Sequence, residues 1–216
     1  MTEPKVIPGD AGGLVYLLRA GEDPSVPPVI MLHGKGGDEK VMWVLEGVLP
    51  KGGLVASPRG LYPLSEGGYQ WKESTNREWP SIMDFARAGE ALLRMVDDLE
   101  RRFGLDRDHL VLMGFSQGAA LAFAGTALGM LHTAALVSLA GYVPEGDIHL
   151  LHGSKVFWGH GLQDDLISIE RAREDVVRLR GVGANVDYCE TDIGHKLGIE
   201  CARGLNLWLS GQFSLS

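Results

Sequence analysis

Residues 109–124 read HLVLMGFSQGAALAFA. This stretch joins an apolar run with strand character, 109–113, to an alanine-rich run with helix character, 119–124. The join is the pentapeptide Gly114-Phe115-Ser116-Gln117-Gly118, a G-x-S-x-G sequence. In a sharp strand-to-helix turn such a serine projects from the end of the strand, and small residues two before and two after it let the chain pass closely. The stretch predicts a strand, a turn that carries a candidate nucleophile, and a helix. A serine that only caps a helix remains the alternative.

The rest of the chain alternates in the same way. Helical patterns cover 38–49, 81–103, 169–179 and 198–209 and fall between most of the apolar runs. Strands alternating with helices predict an α/β fold, a mostly parallel, doubly wound sheet with helices on both faces. Strands are predicted at 14–18, 29–32, 54–57, 109–113, 134–139, 156–158 and 186–189.

Length and charge narrow the class of protein. A chain of 216 residues with 45% hydrophobic and 22% charged residues is ordinary for one globular domain, taken as 1–216. The net charge of −8 and the lack of a Lys/Arg tract argue against a nucleic-acid partner.

Residues 118–143 contain no acidic residue, lysine or arginine. Their length permits a membrane span, but the break at His132-Thr133 predicts a helix to about Leu131 and a strand from Ala134 instead.

The cysteines and the N-terminal residues indicate in which cellular compartment the protein is expected. Cys189 and Cys201 have neither a CxxC spacing nor a nearby histidine at metal-ligand spacing, which argues against a zinc site and a disulfide framework. They are predicted to be free thiols in a reducing compartment, and a cytoplasmic location is expected. Residues 1–10 show no pattern of a signal peptide.

Candidate partners for Ser116 follow later strands. In parallel sheets, ligands and catalytic groups collect at the carboxyl ends of the strands. The strand at 156–158 is followed by a glycine-bearing loop with the carboxylates Asp164 and Asp165, and the strand at 186–189 by Asp192-Ile193-Gly194-His195. The chain order Ser, Asp, His on alternating strands and helices is that of α/β-hydrolases.

Several motifs together resemble the phospholipase/carboxylesterase family of α/β-hydrolases, which includes acyl-protein thioesterases and small bacterial carboxylesterases. The resemblance covers nearly the whole chain and implies the α/β-hydrolase fold. The motifs are Leu32 to Asp38 (LHGKGGD), Ser57 to Leu64 (SPRGLYPL), Gly67 to Trp71 (GGYQW), Gly114 to Gly118, the H-G-x-x-D pattern of His160 to Asp164, and Gly194-His195.

The resemblance implies a role for each matching residue. Ser116 would be the nucleophile, His195 the general base and then acid, and Asp164 the carboxylate that orients the imidazole, with Asp165 and Asp192 as competitors. The backbone N–H groups of Lys35 and Gln117 would form the oxyanion hole. The lysine departs from the smaller or apolar residue expected there. Its side chain is expected to point to solvent, and attraction of anionic substrates is the alternative.

These assignments predict a serine carboxylesterase for small to medium acyl esters that uses no metal or cofactor. The interval 140–155 is too short for a large lid domain, so an open cleft is expected, walled in part by the aromatic-rich loop 58–80. Its candidate apolar wall residues are Trp43, Trp71, Trp79, Leu162 and Leu166.

Three alternatives remain open. Thioesterase or lysophospholipase activity is the nearest, a lyase or transferase with the same triad is the next, and a non-catalytic binding module on the same fold is the third. Family resemblance makes a homodimer plausible.

Overall fold

The computed structural model describes residues 5–7, 13–73 and 79–212. Eight strands form one sheet in the order β1-β2-β4-β3-β7-β8-β9-β10, and β5 and β6 pair separately. The pairs β1–β2 and β2–β4 are antiparallel, and the other pairs of the large sheet are parallel. The strands are β1 Lys5–Ile7, β2 Tyr16–Arg19, β3 Val29–Leu32, β4 Val55–Pro58, β5 Tyr62–Pro63, β6 Tyr69–Gln70, β7 Val111–Phe115, β8 Ala135–Leu139, β9 Lys155–Gly161 and β10 Asn185–Thr191.

Helices cover both faces of this sheet. They are α1 Ala86–Phe103, α2 Gln117–Ala127, α3 Ile169–Gly181 and α4 Ile199–Gln212, with 3₁₀ helices at Val41–Val48, Ile82–Phe85, Arg107–His109 and His149–Leu151. On β3, Ile30 and Leu32 point into the core under α1, α2 and α3, whereas Val29 and Met31 point into the core under α4 and the 3₁₀ helix Val41–Val48. The period of two places successive side chains in opposite layers. The predicted α/β architecture is confirmed.

Most element boundaries follow from the local sequence. Ser81 begins a capping box with Asp84 ahead of α1, and Gly104 ends that helix in the left-handed region with φ 66°. The apolar stretch 118–143 divides as predicted, because α2 ends at Ala127 and β8 begins at Ala135. Among the described residues, no helix combines the length and the apolar character that crossing a bilayer needs.

Three local features differ from the sequence prediction. Strand β1 was not predicted; its pairing with β2 adds an antiparallel edge. The segment expected to be a helix at 38–49 is a 3₁₀ helix over Val41–Val48. The loop 58–80 contains the hairpin β5–β6, which its aromatic and glycine content did not reveal, and residues 74–78 of that loop lie outside the described part of the chain, as do residues 1–4 and 8–12.

The prediction of free cysteines is wrong. Cys189 on β10 and Cys201 on α4 form a disulfide with their Cα atoms 5.7 Å apart. The parallel strand and the helix that follows it pack side by side and bring the two positions to bonding distance. Spacing along the sequence does not reveal this approach, because it depends on how α4 folds back against the sheet. The expectation of a cytoplasmic location rested in part on free thiols and loses that support.

Gly114 and Gly118 are where β7 turns into α2, and neither has space for a side chain. A methyl group at Gly114 would lie 2.2 Å from the backbone nitrogen of Ala119, and one at Gly118 would lie 2.1 Å from the carbonyl oxygen of Leu32. Both obstacles are backbone atoms, which cannot rotate away. The G-x-S-x-G spacing is therefore required by the packing of α2 against β7 and β3.

We expect Gly118→Ala to lower the free energy of unfolding by about 3–5 kcal/mol, because the new methyl group forces β3 and α2 apart. Chemical denaturation monitored by circular dichroism measures this. Gly47→Ala is the matched control: Gly47 is exposed and a Cβ there meets no atom within 4 Å. Its stability is expected to stay within about 0.5 kcal/mol of the parent protein. Equal stability of the two variants would contradict the close-packing argument.

Candidate active site

Ser116 lies between β7 and α2 in a conformation that L-residues rarely adopt, with φ 51° and ψ −117°. Its backbone nitrogen donates to the carbonyl of Leu139 at 2.9 Å, and its own carbonyl accepts from Ala119 and Ala120. These bonds to β8 and to the first turn of α2 hold the strained residue in place. Its side chain makes no capping hydrogen bond. The structure therefore supports a half-buried serine that lines a cleft at the strand end over a helix-capping serine.

Asp164 and His195 meet at the ends of β9 and β10. The Nδ1 atom of His195 lies 2.7 Å from Oδ2 of Asp164, whose side chain is fully buried. The competing carboxylates lie elsewhere: Asp165 is exposed, and Asp192 is exposed and accepts from Nε2 of Gln163 at 2.7 Å. Of the three candidates, Asp164 is the one that contacts the histidine.

The carboxylate of Asp164 is held by the loop that follows β9. Its Oδ1 accepts the backbone N–H groups of Leu166 at 3.0 Å and Ile167 at 2.9 Å. Its Oδ2, besides bonding His195, lies 3.3 Å from Nε2 of His160. A carboxylate with this many donors keeps one orientation and can fix the ring of His195 with Nδ1 protonated. Nε2 of His195 is then free to act as a base.

Burial lowers the pKa of His160, so its ring is neutral. Nε1 of Trp158 donates to Nδ1 of His160 at 3.3 Å, which places the proton of His160 on Nε2, 2.9 Å from the carbonyl of Ile167. The H-G-x-x-D pattern thus supplies both Asp164 and a neutral histidine that supports its loop. The sequence interpretation used only the aspartate.

The turn after β3 is held by His33 at its base. Nε2 of His33 accepts the N–H of Gly60 at 2.8 Å, so Nδ1 donates to the carbonyl of Gly34 at 2.7 Å. Burial lowers the pKa of this histidine as well. Within the described residues, the N–H groups of Lys35 and Gln117 have no acceptor from the protein. The turn and the start of α2 therefore present two available donors.

Trp71 is predicted to line the substrate cleft, and the structure contradicts this. Its side chain is fully buried, and its Nε1 donates to the carbonyl of His33 at 2.7 Å. Its backbone nitrogen donates to Oε1 of Gln117 at 2.9 Å. Trp71 is hydrogen-bonded both to the turn after β3 and to the first residue of α2. It therefore fixes these two segments relative to each other from the buried side of the cleft. Sequence alone does not distinguish an aromatic residue under a site from one that faces it.

A cleft of about 550 Å³ contains Ser116 and His195. Among the predicted wall residues, Trp79 and Leu166 line it. Leu162 is exposed and is not part of this lining, and Trp43 packs in the core under α4, where its Nε1 donates to Oγ of Ser57. The other lining residues are Gly34, Lys35, Gln70, Lys72, Pro80, Phe115, Gln117, Tyr142 and Ile167.

One wall of the cleft, formed by Trp79 and Tyr142, is supported by α3. Their rings meet edge to face at 5.4 Å, and the guanidinium of Arg171 lies 4.5 Å from the ring centroid of Trp79. Arg171 also donates to the carbonyl of Val143, whose N–H donates to the buried Asp175 at 2.8 Å. Burial raises the pKa of Tyr142, so its phenol stays protonated. Tyr142 was missed by the sequence analysis because it follows β8 without a motif.

Among the residues described, no group of three or more His, Cys, Asp or Glu side chains is arranged to hold a metal ion. The cleft and the loops around it bring together a serine, an imidazole that is bonded to a buried carboxylate, and two available backbone donors.

The neutral state of His160 predicts a pH dependence of stability. A histidine whose folded pKa is lowered takes up a proton on unfolding, so its contribution is complete above the unfolded pKa of about 6.5 and is lost as pH falls. Below pH 6.5 we therefore expect the free energy of unfolding to increase as the pH is raised. The slope is at most about 1.4 kcal/mol per pH unit for each proton taken up on unfolding. Denaturation from pH 5 to 7 measures it. His160→Gln should reduce the slope of the profile and leave the part that is due to His33; an unchanged profile in His160→Gln would contradict the assignment.

No protein-family model matches the chain. Comparison with solved structures finds carboxylesterases of the same fold. The Bacillus cereus carboxylesterase is 24% identical with a TM-score of 0.83, over 92% of this chain and 94% of that one. The Mesorhizobium loti carboxylesterase is 23% identical with a TM-score of 0.84, over 96% and 99%. Esterase PE8 is 18% identical with a TM-score of 0.75, over 90% and 96%.

The chain therefore has the α/β-hydrolase fold, shared with these carboxylesterases along nearly their whole length.

Proposed function

We propose that this protein is a serine hydrolase that cleaves carboxylic esters, built as a single α/β-hydrolase domain. The observation that carries the proposal is the bond of 2.7 Å between His195 and the buried Asp164, in a cleft that also contains the strained Ser116. A strained serine and a histidine with one nitrogen fixed by a carboxylate are the requirements of acyl transfer through a serine ester.

In the proposed mechanism Ser116 attacks the ester carbonyl while Nε2 of His195 removes its proton. Asp164 holds Nδ1 and stabilises the imidazolium that forms. The imidazolium then gives its proton to the leaving alcohol, and an acyl group remains on Ser116. Water activated by His195 hydrolyses this acyl-enzyme by the same route and restores the free serine.

The N–H groups of Lys35 and Gln117 would stabilise the negative charge that develops on the carbonyl oxygen. Each such donor contributes about 3–4 kcal/mol to the stability of the transition state in serine hydrolases. The supports of these donors are His33 and Trp71, which fix the turn and the helix start relative to each other. The oxyanion hole is thus formed by backbone that the core holds in position before substrate arrives.

The cleft fits small or medium acyl groups. Its volume of about 550 Å³ is in the ordinary range for small-molecule sites, and no lid domain is inserted between β8 and β9 in the described chain. We expect kcat/KM for p-nitrophenyl esters to be highest for short acyl chains and to decrease toward C12. A steep rise toward the longest chains would contradict a site of this size.

A fluorophosphonate probe tests the proposed function directly, because it labels only serines that a working site activates. We expect labelling of the native protein, located by mass spectrometry on the peptide that contains Ser116, together with hydrolysis of p-nitrophenyl acetate. Heat-denatured protein is the control. A native protein that neither reacts with the probe nor hydrolyses any ester would support the non-catalytic binding module instead.

A thioesterase or lysophospholipase would use the same residues, so matched esters, thioesters and lysophospholipids on the purified protein decide between these activities. Product analysis in water distinguishes hydrolysis from a lyase or transferase reaction. A homodimer and a cytoplasmic location stay predictions.

A further inference from the structure

A second cleft adjoins the one that contains Ser116. Its volume is about 560 Å³, and it shares Gly34, Lys35 and Phe115 with the first cleft. Most of its lining is apolar side chains and glycines, and the two charged residues in the lining, Lys35 and Lys196, are exposed. We refer to this space as the apolar cleft. Two adjoining spaces thus meet at the turn that follows β3, and an acyl group needs only one of them.

The boundary between the two clefts lies against the proposed nucleophile. A methyl group placed on Gly34 would lie 2.9 Å from the ring of Phe115 and 3.3 Å from Cβ of Ser116. Gly34 and Phe115 line both clefts, so the residues that separate the two spaces are also the ones that touch Ser116. The apolar cleft therefore begins at the reacting atoms and not at a distance from them.

The outer wall of the apolar cleft is the 3₁₀ helix Val41–Val48. Side chains three residues apart eclipse each other in a 3₁₀ helix, so Val41 and Val44 form one row and Met42 and Leu45 form the next. All four line the cleft. Met42 is buried and Leu45 half-buried, whereas Val41 and Val44 are 49% and 84% exposed. A ligand in the cleft would remove part of this exposed apolar surface from water.

The position of His195 indicates which part of an ester suits this space. In the proposed mechanism its imidazole gives a proton to the oxygen of the leaving alcohol, so that oxygen must lie next to the ring. The ring of His195 is 5.0 Å from that of Phe115, and the two residues that follow it, Lys196 and Leu197, line the apolar cleft. The carbon chain of the alcohol therefore starts at the edge of the apolar cleft, and the first cleft remains for the acyl group.

We propose that the apolar cleft binds the alcohol part of the substrate, so that the protein hydrolyses esters of apolar alcohols of medium size. This inference rests on the proposed ester hydrolysis and names its substrate class. The acyl group lies in the first cleft beside Trp79, and the alcohol extends past Phe115 toward Val41. When the bond between the carbonyl carbon and the alcohol oxygen breaks, that oxygen takes the proton held by His195, and the apolar alcohol leaves.

The test varies the alcohol while the acyl group stays constant. Ethyl, butyl and hexyl acetate form the same acetyl-enzyme, and their alcohols have nearly equal acidity. Differences in kcat/KM therefore report how the alkyl chain is bound when the acyl-enzyme forms. We expect kcat/KM for hexyl acetate to exceed that for ethyl acetate by about 10- to 100-fold, measured by titration of the released acid at constant pH. Ethyl hexanoate should show no such gain over ethyl acetate.

A double variant, Val41→Ser with Val44→Ser, assigns the preference to the apolar cleft. Both valines are exposed, so the variant is expected to fold. The loss of apolar contacts should reduce the ratio of kcat/KM for hexyl acetate to that for ethyl acetate by about 3- to 10-fold, while the ratio for ethyl hexanoate to ethyl acetate stays the same. Val177→Ser is the matched control: this valine is 68% exposed on α3 and is in the lining of neither cleft, so both ratios should equal those of the parent protein.

The outcomes separate this proposal from the proposed function. Three results would overturn the binding of the alcohol in the apolar cleft and leave ester hydrolysis standing: equal kcat/KM for ethyl and hexyl acetate, a preference that the double variant retains, or a double variant that changes the acyl-chain ratio instead. A protein that hydrolyses neither these esters nor p-nitrophenyl acetate overturns the proposed function itself.

Discussion

Replacing Ser116 with alanine is expected to reduce kcat for ester hydrolysis by about 10⁶, equivalent to about 8 kcal/mol of barrier. Ser116 lies in the cleft with the proposed base His195, whereas the other hydroxyl that lines the described cleft, that of Tyr142, has a raised pKa and stays protonated. The residual rate would come from binding and the oxyanion donors. Initial rates with p-nitrophenyl acetate measure the loss.

The control for this variant is Ser25→Ala, at an exposed serine whose hydroxyl bonds the nearby Asp23. It should hydrolyse the ester at the parent rate. The fold of Ser116→Ala is checked by its melting temperature, which we expect to stay close to that of the parent protein because alanine keeps the Cβ and the same backbone conformation. Turnover of p-nitrophenyl acetate at the parent rate by a folded Ser116→Ala protein would exclude Ser116 as the nucleophile.

Asp164→Asn is expected to lower kcat by about 10⁴. The amide has nearly the shape of the carboxylate and can still accept the N–H groups of Leu166 and Ile167. It presents an NH₂ group toward Nδ1 of His195, which favours the wrong tautomer and no longer stabilises the imidazolium. The loop that carries Asp164 should therefore keep its structure, while His195 no longer acts as an effective general base.

Asp165→Asn and Asp192→Asn are the matched controls, since both carboxylates are near in sequence to the site and exposed. Each is expected to keep kcat within about twofold of the parent value, as for surface changes away from special contacts. If Asp192→Asn lost as much kcat as Asp164→Asn, Asp192 on the loop after β10 would be the carboxylate that orients His195. That result would contradict the role inferred from the bond between Asp164 and His195.

The layers of the fold and the positions of three candidate site residues could be predicted from sequence because they depend on local patterns. Apolar runs alternating with amphipathic ones specify strands and helices, and the glycines around Ser116 are required by contacts between adjacent segments. Asp164 and His195 could be placed at the sheet's edge because parallel strands end on the same side. The order Ser, Asp, His along the chain then indicated that Asp164 orients the imidazole and that His195 is the base.

The parts that could not be predicted depend on contacts between distant segments. Trp71 and Trp79 are indistinguishable by composition, yet one is a support under the site and the other lines the cleft. Lys72 and Tyr142 reach the cleft from the segments after β6 and β8, and no short motif marks either. The disulfide required the approach of α4 to β10.

That disulfide has a consequence for the proposed base. Cys189 and Cys201 close a covalent ring of thirteen residues, and His195 lies at its midpoint. Ring closure of this size removes about 3 kcal/mol of chain entropy from the unfolded ensemble. The segment that carries His195 is therefore tied at both ends, to β10 and to α4, by a covalent link that does not involve Asp164. Reduction of the sulfur–sulfur bond is expected to lower the free energy of unfolding of the protein.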